Sequence, residues 1–70
     1  MTQEEFEDLE IGEVIIGQMT GDEYKVIEKK GKVFTFMIND SYKKVISCRN
    51  VHEYITLSLF EKTKSSGRFF

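Results

Sequence analysis

The residues that could do chemistry in this 70-residue chain are few. Its single cysteine, Cys48, stands four positions before its single histidine, His52. On a helix that spacing would set an imidazole beside a thiol, and such a pair can make an activated nucleophile. The local sequence argues otherwise. Cys48 ends an apolar run and reads as a small packed hydrophobe, while His52 lies in a polar connector beside Glu53. The neighbouring acids Glu4 and Glu5, and Glu7 and Asp8, fall in a short surface segment with no pocket to desolvate them, so they read as ordinary carboxylates. None of the five glycines opens a helix in the manner of a phosphate loop. One Cys and one His supply neither a disulfide nor a Cys/His zinc site. The expectation is a protein that is not an enzyme, with no catalytic residues, no metal and no cofactor.

The remaining chemistry is charge. In EKKGKVFTF, residues 28 to 36, Lys29, Lys30 and Lys32 crowd a glycine ahead of an aromatic alternation, and Lys43 and Lys44 follow eleven and twelve positions after Lys32. Proteins that hold single-stranded nucleic acid combine a basic groove with outward aromatics for base stacking. Tyr42 and Tyr54 are the candidate stackers here, since Phe34 and Phe36 share a face with Ile38 and read as core. The two lysine groups are expected at opposite ends of a strand, about 20 Å apart for six residues at about 3.3 Å each. Lysines at hairpin ends also serve as solvated edge protection. Nucleic acid is therefore the alternative and not the leading reading. Along the chain the charge is segregated: residues 1–24 hold eight acids and no base, a charge of −8, while residues 25–70 hold ten bases against four acids, +6, for a net −2. Such bipolarity either marks an interaction surface or cancels where the two parts fold side by side.

The elements that must position these residues follow from periodicity. Thr2 and Glu5 have the spacing of a capping box, which predicts a helix over residues 3–9 with Phe6 and Leu9 inward. Period-two runs then predict strands over 13–19, 23–29, 32–39, 43–48 and 55–62, the last with Ile55, Leu57 and Leu59 inward. Turns are expected at 20–22, at Lys30 and Gly31 with Gly31 at positive φ, and at 40–42. Residues 49–54 leave room for a 3₁₀ turn. Residues 1–62 thus read as one small domain and 63–70 as a tail expected to fray, whose Phe69 and Phe70 either fold back or fill a groove on another chain. No signal-peptide pattern and no apolar run near the roughly 20 residues of a membrane span is present. With one unpaired thiol, the chain reads as cytoplasmic. The absence of alanine and proline alongside abundant Lys, Glu, Ile and Phe suggests an AT-rich genome, such as that of a low-GC bacterium or its phage.

With five short strands, a helical lid and a helical turn before the last strand, the stretches L-E-I-G-E-V-I, E-Y-K-V-I and Y-I-T-L resemble the small SH3-like barrels over about residues 9 to 60. That resemblance implies a mainly β, partly open five-stranded barrel. It implies no ligand, because the tryptophan and proline of peptide-gripping SH3 grooves are missing. The resulting expectation is a non-catalytic binding module with an unidentified protein partner. Its contact surface is expected to comprise Ile27, Val33, Met37 and Tyr54 with the Phe69 and Phe70 tail. Self-association, as a homo-oligomeric structural subunit, is the other alternative beside nucleic acid.

Overall fold

The computed structural model describes residues 1–63. The fold is mainly β, with one short helix, two 3₁₀ turns and a five-stranded antiparallel sheet that does not close on itself. Strands β1 (Val14–Gly17), β2 (Glu23–Lys30), β3 (Val33–Ile38), β4 (Tyr42–Ser47) and β5 (Phe60–Lys62) lie in the order β4-β3-β2-β1-β5. Helix α1 spans Gln3–Glu7, and the 3₁₀ turns span Cys48–Glu53 and Leu57–Leu59. The first four strands form a meander, and β5 returns to the free side of β1.

Five residues make too short a helix to persist alone, so α1 exists by its cap and its packing. Thr2 Oγ1 accepts the Glu5 N–H at 3.1 Å and Glu5 Oε1 accepts the Thr2 N–H at 2.8 Å, closing the capping box. That bond to the Thr2 N–H draws the Glu5 carboxyl below its ordinary range. Phe6 goes to the core, where its ring lies 5.5 Å from that of Phe34 and 5.7 Å from that of Phe36. Tyr24 bridges onward, edge to face, with Phe36 at 5.8 Å and Phe60 at 5.2 Å. Ile15, Val26, Ile38, Ile46, Cys48 and Val51 complete a core from which water is excluded. Full burial of each such side chain is worth about 1.5–3 kcal/mol, which is how a chain this small gains stability from one aromatic cluster.

Phe6, Leu9, Phe34, Phe36, Ile38, Ile55 and Leu57 are all buried as the periodicity requires, and Gly31 has φ +59°. The last strand is different. Residues 55 and 56 lie in no regular element, 57–59 form a 3₁₀ turn closed by the Leu59 N–H to the Thr56 carbonyl at 2.9 Å, and only Phe60–Lys62 is strand. A three-residue turn breaks the two-residue alternation, so Leu57 is buried while Leu59, expected inward, is 37% exposed. Phe60 takes the core place instead. Strand β1 stops at Gly17 and not at residue 19, because Gln18–Thr20 already belong to a turn in which the Gly21 N–H reaches the Gly17 carbonyl at 2.8 Å. The β3–β4 turn sits at Asn39 and Asp40, which adopt φ +53° and +55°, so Tyr42 begins β4. Asn and Asp tolerate the left-handed region better than other residues with a side chain. Strand β2 carries a bulge between Val26 and Glu28, which leaves Ile27 without a partner across the ladder.

Candidate functional site

The hairpin lysines are where the sequence puts them, but they are not free. Lys29 Nζ lies 3.5 Å from Glu10 and 5.3 Å from the centre of the Phe34 ring. Lys30 lies 3.5 Å from Glu28, and Lys32 lies 2.6 Å from Glu7. The hydrogen bond from Lys32 is the largest influence holding the Glu7 carboxyl below its usual range, and the Lys32 ammonium is raised in turn. Lys62 completes the pattern on Glu13 at 2.9 Å. Three of these four pairs join an acid of residues 1–24 to a later base, so part of the segregated charge of the sequence is neutralised on the folded surface.

Lys43 and Lys44 form a separate group. Register pairs Met37 with Lys43 and Phe36 with Lys44, at the end of the sheet away from Lys32. Consecutive strand residues point to opposite faces, so Lys44 lies on the core side beside Phe36 and Lys43 on the outer side. Lys44 Nζ stands 5.3 Å over the ring of Tyr54, the exposed residue that ends the first 3₁₀ turn. Tyr54 therefore has a basic neighbour that its sequence context did not show. Its neighbour Lys44 belongs to the core-side face, whereas Val33 and Met37, with which the sequence reading grouped Tyr54, belong to the outer one. Tyr42, exposed at the start of β4, shares the face of Lys44. Phe69 and Phe70 lie outside the described residues.

Ile27, Val33 and Met37 do share one face, the outer side of the sheet. Its cross-strand rows are Val14, Lys25, Met37 and Lys43; Glu28, Thr35 and Val45; and Lys30, Val33 and Ser47. The bulge turns Ile27 and Glu28 to this face together, since Val26 and Lys29 on either side pair with core-facing Phe36 and Phe34. Val33 is 42% exposed and Val45, diagonal to it across the β3–β4 ladder, is 60% exposed. Val45 was not among the residues singled out from sequence. A usable signal existed: Ile46 must face inward opposite Phe34, so its neighbour must face out. Lys25 and Lys43 flank Met37 in the same row, and no acid among the described residues comes within ion-pair distance of either.

Cys48 and His52 both lie in the first 3₁₀ turn but in different settings, the thiol buried and the imidazole exposed. Burial raises the Cys48 thiol, with the Glu7 charge adding to it, which is the reverse of activation. His52 instead borders a shallow depression of about 410 Å³ with Gln3, Ile55 and Leu57. Among the described residues no three His, Cys, Asp or Glu side chains gather as metal ligands. No helix among them is long and apolar enough to cross a membrane.

No protein-family model matches the chain, and comparison with curated proteins and with solved structures gives no match.

Proposed function

We propose that the chain is a small non-catalytic binding module that docks the outer face of its sheet on a protein partner. Val33 and Val45 carry this reading: two branched aliphatic side chains stand in solvent side by side, over the half-buried Met37, Ile27 and Thr35. Scattered surface apolar residues are ordinary, whereas a contiguous group with a polar rim is a feature of interfaces. The rim here is basic on balance, with Lys25 and Lys43 without an ion-pair partner among the described residues and Lys30 facing Glu28, so the complementary surface is apolar with acids opposite Lys25 and Lys43. The strand order and the 3₁₀ turn ahead of β5 support an SH3-like small barrel, and a single cysteine held as a buried thiol supports a reducing, cytoplasmic setting.

The nucleic-acid alternative loses its main support, since Lys29, Lys30 and Lys32 each already face an acid. Affinity capture from host lysate separates the readings when run on the native chain and on a Val33→Asp/Val45→Asp variant, each with and without nuclease. The expected result is a nuclease-resistant band captured by the native chain and lost by the variant, with both proteins melting alike. A band that nuclease removes supports the nucleic-acid reading. A band retained by the variant overturns docking through the outer face, and concentration-dependent sedimentation of the native chain alone supports the homo-oligomeric one.

A further inference from the structure

The sheet has two edges, and they differ. Strand β5 spans three residues, and its Phe60 carbonyl is already taken by the Met1 ammonium at 2.8 Å. Strand β4 runs for six residues and is paired on one side only. Which of its backbone groups are unused follows from the ladder. The Cys48 N–H donates to the Lys32 carbonyl at 2.8 Å, in register with the Val33–Ser47 pair that follows. Hydrogen-bonded and non-hydrogen-bonded pairs alternate along antiparallel strands, so Ile46 and Lys44 bond to Phe34 and Phe36. Lys43 and Val45 then aim their N–H and C=O groups away from β3. The far side of β3 agrees, because the Asn39 N–H donates to the Glu23 carbonyl at 2.8 Å, which by the same alternation turns the Met37 groups toward β2. Among the described residues, no backbone hydrogen bond outside the ladder involves Lys43 or Val45.

We infer that β4 is a docking edge that takes an extended, acidic segment of the partner protein as a sixth strand. This rests on the reading of the chain as a protein-binding module and names how the partner binds. Strand addition draws affinity from main-chain bonds and specificity from the side chains that flank them. Here Lys43 and Lys44 present one positive charge on each face of the edge, neither is ion-paired among the described residues, and β4 contains no acid. Val45 beside them continues the edge into the apolar outer face. On an antiparallel incoming strand, apolar residues followed by two adjacent acids match this order on both faces. The same lysines repel a second β4, so they admit an acidic strand while discouraging edge-to-edge pairing of identical copies.

The test uses the full chain, isotopically labelled, with amide hydrogen exchange read residue by residue. The probe is the acetylated, amidated peptide Thr-Val-Val-Glu-Glu-Thr, ordered to oppose Ser47 through Tyr42, and the control replaces both Glu by Lys. The acidic peptide is expected to slow exchange at Lys43 and Val45 without changing Ile46 or Phe36, and the control to leave all four unchanged. Lys43→Glu/Lys44→Glu, which leaves the β3 ladder in place, should weaken the effect by about tenfold or more. Val45→Pro, which removes an outward N–H, should abolish it. No slowing at millimolar acidic peptide, or equal slowing by both peptides, overturns the inference, as does slowing that follows protein concentration with no peptide present. Capture of the partner distinguishes the two levels: loss with Val33→Asp/Val45→Asp but retention with Lys43→Glu/Lys44→Glu leaves the binding module standing and removes the edge.

Discussion

The ammonium of Lys32 donates to the Glu7 carboxylate at 2.6 Å, tying the β2–β3 turn to α1 across 25 positions of sequence. The Glu7 carboxyl is held below its ordinary range first by that bond and then by the one from Gln3. Its folded value lies below its unfolded one, so its stabilisation is fully present above the unfolded value and is lost as pH falls through the folded value. Replacing Lys32 by Met should therefore lower the urea midpoint at neutral pH and narrow the gap between native and variant on acidification to about pH 3. Parallel stability-against-pH curves for the two proteins would show that the pair is only a surface contact.

Phe6 is the residue through which the helix reaches the core, stacked 5.5 Å from Phe34 at an interplanar angle of 20°. Truncating it to Ala removes an aromatic of zero exposure and is expected to cost about 3–5 kcal/mol, a large share of what a domain of this size has. Phe6→Leu, which keeps most of the volume, should cost much less. Chemical denaturation of both variants checks this, and a Phe6→Ala loss below about 1 kcal/mol would mean that the helix does not close the core.

The core and four of the strands were legible because alternation along a strand and a capping box are local signals. Phe34, Phe36 and Ile38 declare their face within five residues of sequence. What was not legible depended on distant partners. Leu-Ser-Leu reads as strand by composition, and only the closure of Leu59 on Thr56 removes it from the alternation. The pairing of Lys29 and Lys32 with Glu10 and Glu7 needs the helix to lie beside the hairpin, which no window of sequence reports. The basic neighbour of Tyr54 was hidden for the same reason: its place beside Lys44 is fixed by the 3₁₀ turn that carries it. Val45, by contrast, could have been found from the register alone.

The turn between β2 and β3 supplies a test of backbone conformation free of packing. Gly31 has φ +59°, and a Cβ built there would meet nothing within 4 Å. Any cost of Gly31→Ala is therefore strain of the left-handed backbone, about 1–2 kcal/mol, or a melting point lower by several degrees. Gly31→Asn should lose less, since asparagine enters this region more readily. Equal losses for Ala and Asn would indicate that the turn changes type instead of bearing the strain.

Gly17 offers the complementary case, where space decides and not conformation. It ends β1 directly opposite Phe60, and a Cβ at this position would lie 3.1 Å from Thr20 Oγ1 and 3.3 Å from Phe60 Cζ. Phe60 cannot simply swing aside, because its ring meets Tyr24 edge-on at 5.2 Å within the core. Gly17→Ala should therefore displace Phe60 and cost about 1–3 kcal/mol, as overpacking does. Shortening the neighbour relieves the crowding, so Phe60→Leu, itself destabilising, should make Gly17→Ala cheaper in its presence. A double-mutant cycle on urea midpoints reads this as a favourable coupling of about 0.5 kcal/mol or more. Additive losses would place the origin of the Gly17 requirement at Thr20, and Thr20→Ala would then be the substitution that rescues it.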